Sequence, residues 1–259
     1  MAAIALSSRS NWESARRAAD WLASHQAADG SVAVREGASW PVWTTPLAVL
    51  AWQSLASHDK TLYRSNVERA SRWILQARSE SAPESGITGH DTRLTAWPWV
   101  VGTHAWVEPT AMAVLALKSC GYAKHARTRE AVRLLVDRLL PEGGCNYGNT
   151  TVLGRMLRPH VQPTGLAVLA LAGEPDAKGA IARSADYLSR NVSGETTAQS
   201  LAWALIGLTA HGRRPAEADQ WLHDMSTRQS PFDGGQLRNA VLLLAAQEND
   251  CLLINLPRK

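Results

Sequence analysis

The stretch Val107-Glu-Pro-Thr-Ala-Met-Ala-Val-Leu-Ala-Leu117 returns almost unchanged as Val161-Gln-Pro-Thr-Gly-Leu-Ala-Val-Leu-Ala-Leu171, with eight identities in eleven positions. Identity at that level within one chain marks an internal repeat. Weaker copies run from Val42 through Thr45 to Leu50-Ala51, and from Glu195 through Thr197-Ala198 to Leu201-Ala-Trp-Ala-Leu205. Each copy joins a Thr or Pro-Thr start signal to a stretch with no polar face. That pattern predicts a helix buried on every side.

Segments of a second kind lie between the copies: Trp12–His25, Asn66–Arg78, Thr128–Leu140, Ala180–Asn191 and Ala216–Arg228. They carry Arg, Asp and Glu on one face and Trp, Leu or Ile on the other, as amphipathic helices do. Most run into a glycine turn, at Gly30, Gly143-Gly144, Gly194 or Asp233-Gly234-Gly235. No run alternates with the period of two expected of strands. The alternation recurs at a spacing of about 50 residues, as in stacked helical hairpins. Helices as apolar as these favour a closed ring over an open solenoid, which would leave one layer wet. The expectation is all-α: a single α/α toroid spanning 1–259, its repeats covering 12–246. About five to six hairpins fit that length at the ~50-residue period. Any gap in the ring falls to the termini, to a second subunit, or to the long segment Ser79–Trp106 with its Trp97-Pro-Trp99 run.

The 259 residues are 45% hydrophobic, enough for a substantial core, and the net charge of +4 comes from scattered Arg rather than a basic block. Nucleic acid is therefore not an expected partner. Cys120, Cys145 and Cys251 form neither a disulfide framework nor a metal pair, and no apolar run approaches the ~20 residues of a membrane span. A cytoplasmic location is expected, with no transmembrane segment, cofactor or metal.

Trp21-Leu22-x-x-x-Gln26-x-x-x-Gly30 resembles the QW motif of squalene–hopene and oxidosqualene cyclases, with Val32 where that motif ends in Trp. Glu142-Gly-Gly-Cys-Asn-Tyr-Gly-Asn149, followed by a Pro-Thr helix, resembles the prenyltransferase and squalene-oxidase repeat of the terpenoid cyclase and protein prenyltransferase superfamily. The resemblance implies an α/α toroid around a central cavity. It further implies an isomerase- or lyase-type terpenoid cyclase-like activity on an isoprenoid or other large apolar substrate. Class II cyclases of that group protonate their substrate with the middle Asp of an Asp-x-Asp-Asp-Thr motif. Here Val107-Glu108-Pro109-Thr110 keeps one carboxylate, Glu108, at the position of the proton donor. The zinc set of the prenyltransferases has no counterpart.

Candidate catalytic residues are Glu108 and Asp91, the latter in Gly89-His90-Asp91-Thr92-Arg93 beside the Trp pair. At a helix start Glu108 could instead cap free N–H groups, a role that lowers a carboxylate pKa. Candidate substrate-binding residues are Trp40, Trp43, Trp97, Trp99, Trp106, Tyr147, Asn149, His160 and Gln162, all in or beside the loops that precede buried helices. Aromatic walls with a few polar groups suit an apolar ligand, and their π faces stabilise a carbocation. Trp21, Trp52, Trp73, Trp203 and Trp221 sit at helical core spacing. Two other readings stand beside the cyclase-like one. The first is a non-catalytic toroid that binds a lipid-like ligand or a protein partner, as a homo-oligomer or with another subunit. The second is a carbohydrate-active (α/α) barrel using Glu108 with Asp91 or Glu195.

Overall fold

The computed structural model describes residues 1–9, 11–35, 42–56, 58–59, 61–83, 88–228, 235–248 and 251–255. It is mostly helical. The order is α1 (Ala2–Ser7), α2 (Trp12–Ser24), α3 (Thr44–Leu55), α4 (Arg64–Gln76), α5 (Val107–Ser119), α6 (Ala126–Asp137), β1 (Thr151–Val152), β2 (Arg155–Met156), α7 (Val161–Ala170), α8 (Ala180–Asn191), α9 (Ala198–Ala210), α10 (Ala218–Thr227) and α11 (Gly235–Ala245). The repeat copies are α3, α5, α7 and α9, and nearly every residue of each is buried. The amphipathic segments are α2, α4, α6, α8 and α10. In α8 the buried set Ile181, Ser184, Ala185 and Leu188 follows the 3.6 period of a helix with one dry face.

The odd-numbered helices touch in succession, α3 to α5, α5 to α7, α7 to α9 and α9 to α11. Helix α1 touches both α3 and α11, so the circuit of contacts returns to its start. The even-numbered helices pack beside the odd ones, α2 on α1 and α3, α4 on α3 and α5, α8 on α7 and α9, α10 on α9 and α11. Buried apolar side chains from Ala3 to Ile254 form one cluster.

The repeat residues have a different job from the helix-start signal read in the sequence. Thr110 and Thr164 lie inside their helices, whose N-caps are Trp106 and His160 and make no side-chain cap bond. Their hydroxyls accept instead from the amides of preceding loops: Trp97 N to Thr110 Oγ1 at 3.3 Å, Cys145 N to Thr164 Oγ1 at 2.9 Å, and likewise Val32 N to Thr45 Oγ1 at 3.0 Å. All three threonines are fully buried, so each bond satisfies a donor and an acceptor that would otherwise be stranded. The prolines Pro109 and Pro163 occupy the first turn, where no intrahelical N–H bond is lost.

The glycine turns are dictated by close approach. A Cβ on Gly30 would lie 2.5 Å from Arg69 O of α4, and one on Gly143 would lie 2.2 Å from Arg183 O of α8. Both glycines have φ near +97°, a region side chains avoid. Gln26 ties the same turn down: its Nε2 donates to Gly30 O and Asn66 O, both at 3.0 Å, and its Oε1 accepts from Asn66 and Arg69. Of the turn at Gly234, residues 233 and 234 lie outside the described residues. Two features depart from the sequence reading. A short antiparallel hairpin pairs Thr151 with Met156 and Val152 with Arg155, turning through Leu153 and Gly154, both at positive φ. Trp21 is not core but 52% exposed on α2, stacked on His25 at 4.1 Å.

Candidate functional site

Five odd-numbered helices each send two residues, one turn apart, into a cavity of about 230 Å³. The pairs are Trp43 and Leu47, Glu108 and Met112, Gln162 and Leu166, Gln199 and Trp203, Leu237 and Val241, with Met1, Trp99 and Pro109 completing the wall. The i, i+4 spacing puts both members of a pair on one helix face. The cavity therefore has two layers about 6 Å apart. The layer toward the helix N-termini holds every polar group, Glu108, Gln162 and Gln199, and the deeper layer is wholly apolar. None of the lining side chains is basic.

Glu108 is 8% exposed, and its only protein hydrogen bond among the described residues comes from Gln162 Nε2 to Oε1 at 2.9 Å. Burial raises its pKa above the usual carboxylate range, and the Gln162 bond only partly offsets this. Glu108 does not cap α5, since its side chain accepts from no backbone N–H; the pKa lowering that capping would bring is accordingly absent. Ring faces lie close by: Trp43 and Trp99 meet edge to face at 6.0 Å and 71°. Of the residues singled out in the sequence, Trp43, Trp99, Glu108 and Gln162 come together here. Gln199 and Trp203, the latter read in the sequence as a core position, also line it. The signal that finds them is position: Gln199 holds the second place in α9, as Glu108 does in α5 and Gln162 in α7.

Trp99 also borders a separate groove of about 720 Å³ with Trp106, His90, His104, Asn149 and Arg138. The Trp106 and His104 rings meet at a tilt of 33°, their centroids 4.7 Å apart. Burial and the Arg138 guanidinium push the His90 imidazole down. Arg138 is itself buried, paired with Asp137, and its Nε meets no partner among the described residues.

Asp91 lines neither space, although His90 and Thr92 on either side of it border the groove, and it is corrected as an acid. Arg93 grips its carboxylate through Nε at 2.9 Å and Nη2 at 3.1 Å and lowers its pKa to about 2. Such a group stays ionised and has no proton to give. Trp97 is corrected as well: it is fully buried, donates from Nε1 to Ile74 O at 2.8 Å, and lies under the Arg127 guanidinium at 5.0 Å. It is a core residue. Tyr147 is exposed, its ring tilted against His160 at 5.1 Å, and neither residue lines the cavity or the groove. Trp40 lies outside the described residues. Glu195 is exposed and paired with Arg228 at 3.0 Å, so neither it nor Asp91 stands across a shared space from Glu108.

Burial pushes the Cys145 thiol up to about 12, which makes it a poor nucleophile. Among the described residues no three His, Cys, Asp or Glu side chains gather in a metal-ligating group, and no helix is long and apolar enough to cross a membrane. No family model matches the chain, and no curated protein matches it.

Proposed function

We propose that the chain is a single α/α toroid whose central cavity carries out terpenoid cyclase-like chemistry on an unsaturated, isoprenoid-type substrate, with Glu108 as the proton donor. The observation that carries this reading is one carboxyl group, buried and biased toward its protonated form, at the polar end of a Trp-walled apolar cavity. The circuit of helix contacts back to α1 supports the ring.

In this mechanism the Glu108 proton passes to one carbon of a substrate double bond. The π pair becomes the new C–H bond, leaving a carbocation beside a carboxylate. Trp43, Trp99 and Trp203 offer aromatic faces to that cation, each worth ~0.5–2 kcal/mol. Gln162 holds the carboxyl in place. Loss of a neighbouring proton to Glu108 then restores the acid and forms a new double bond, so the balance closes without a second reactant. The apolar lower layer excludes water that would otherwise trap the cation.

The test is incubation of purified protein with geraniol, geranyl and farnesyl diphosphates and squalene, followed by mass spectrometry of an organic extract. A new isomer is expected from the unmodified protein and from Asp91→Asn, and none from Glu108→Gln. Product formed undiminished by Glu108→Gln would remove Glu108 from the chemistry. Substrate retained but unchanged would favour the binding-only toroid.

A further inference from the structure

The cavity itself limits what it can hold. Apolar cavities of about 150 Å³ take up benzene, six carbons. Scaled to 230 Å³, the space suits about ten non-hydrogen atoms. A chain of fifteen or thirty carbons exceeds that volume. The polarity is as specific as the size. In the upper layer Glu108 Oε1 is engaged by Gln162, whereas Glu108 Oε2 and the Gln199 carboxamide meet no protein partner among the described residues. A donor–acceptor pair left facing an apolar chamber is complemented by one hydroxyl or carbonyl oxygen on the ligand. A diphosphate or carboxylate meets no basic side chain there, and the one amine among the lining residues, the Met1 α-amine, is biased by burial toward its neutral form.

We infer that the ligand of this cavity is a compact, uncharged compound of about ten carbons carrying one alcohol or carbonyl oxygen, seated with its oxygen between Glu108 and Gln199 and its hydrocarbon against Leu47, Met112, Leu166, Trp203 and Val241. This rests on the reading of the cavity as the ligand site and requires no turnover. Trp203 is then a residue that sets ligand length.

Equilibrium dialysis of the full chain against geraniol, farnesol, squalene and the ten-carbon hydrocarbon myrcene tests it. Geraniol is expected to bind at least about tenfold tighter than farnesol or squalene, and about five- to tenfold tighter than myrcene, the oxygen's share of the contact. Gln199→Leu should erase the preference for geraniol over myrcene. Trp203→Ala should shift the preference toward farnesol, and Leu166→Ala serves the same purpose if the Trp203 variant fails to fold. Farnesol or squalene bound as tightly as geraniol, myrcene bound as tightly as geraniol, or no saturable binding by any of the four overturns the inference. Geraniol bound but never converted leaves it standing and removes the catalytic reading. Farnesol or squalene converted does the reverse.

Discussion

Glu108 and Asp91 are carboxylates driven in opposite directions by their surroundings. Arg93 holds Asp91 ionised down to about 2, whereas burial shifts the Glu108 pKa upward. The sign for stability follows. A carboxyl whose folded pKa is raised contributes stability fully below its unfolded pKa and loses it as pH rises through the folded value. Glu108→Gln keeps the shape and the capacity to bond Gln162 while removing the charge. In urea titrations the variant should match the original protein at about pH 4, near the unfolded pKa, and exceed it increasingly as pH rises from there through the folded pKa, the difference then levelling off. A constant offset across the range would show that Glu108 does not titrate in a buried site. From the sequence, the residue was legible as a carboxylate at a repeat position where another copy has Gln. Its pKa direction was not, because chain order places Glu108 and Gln162 54 residues apart and says nothing of their hydrogen bond or of the wall around them.

At the level of elements, α7 and α9 make the closest pairing, and glycine permits it. A Cβ on Gly165 would fall 2.6 Å from the Trp203 backbone, and one on Gly207 would fall 2.6 Å from Gly165 O. Gly165→Ala should cost about 1–3 kcal/mol as the helices are forced apart, seen as a lowered midpoint in urea. It should also move Trp203, and so weaken ligand binding more than its stability cost implies. A variant as stable as the original would mean that the helices yield freely at this contact. The repeat alignment made Gly165 visible as the counterpart of Ala111, but not why one copy needs glycine. The buried threonines teach the same lesson. Their recurrence was plain, yet their bonds to loop amides depend on chain brought back from 13 to 19 residues away.

For the molecule as a whole, the circuit of helix contacts is completed by a short helix that carries no repeat signature. Ile4 on α1 is fully buried, and Gln247 Nε2 reaches Ala5 O at 3.3 Å, tying the last helical turn to the first. Ile4→Ala should cost about 2–5 kcal/mol, as truncation in a packed core does, measured as the loss in urea unfolding free energy. A loss within the scatter of surface substitutions would mean that α1 is not part of the core. By itself the sequence determined the helical class, the two kinds of helix and their order, because hydrophobic periodicity and glycine and proline positions act over a few residues. Which aromatic rings face a cavity was decided only by the tertiary structure. Trp21 and Trp203 share helical core spacing and Trp97 sits in a loop, yet Trp21 is exposed, Trp97 is core and Trp203 lines the site. The reason is geometric: local pattern sets which face of a helix is apolar, whereas the closing of the circuit decides what that face meets.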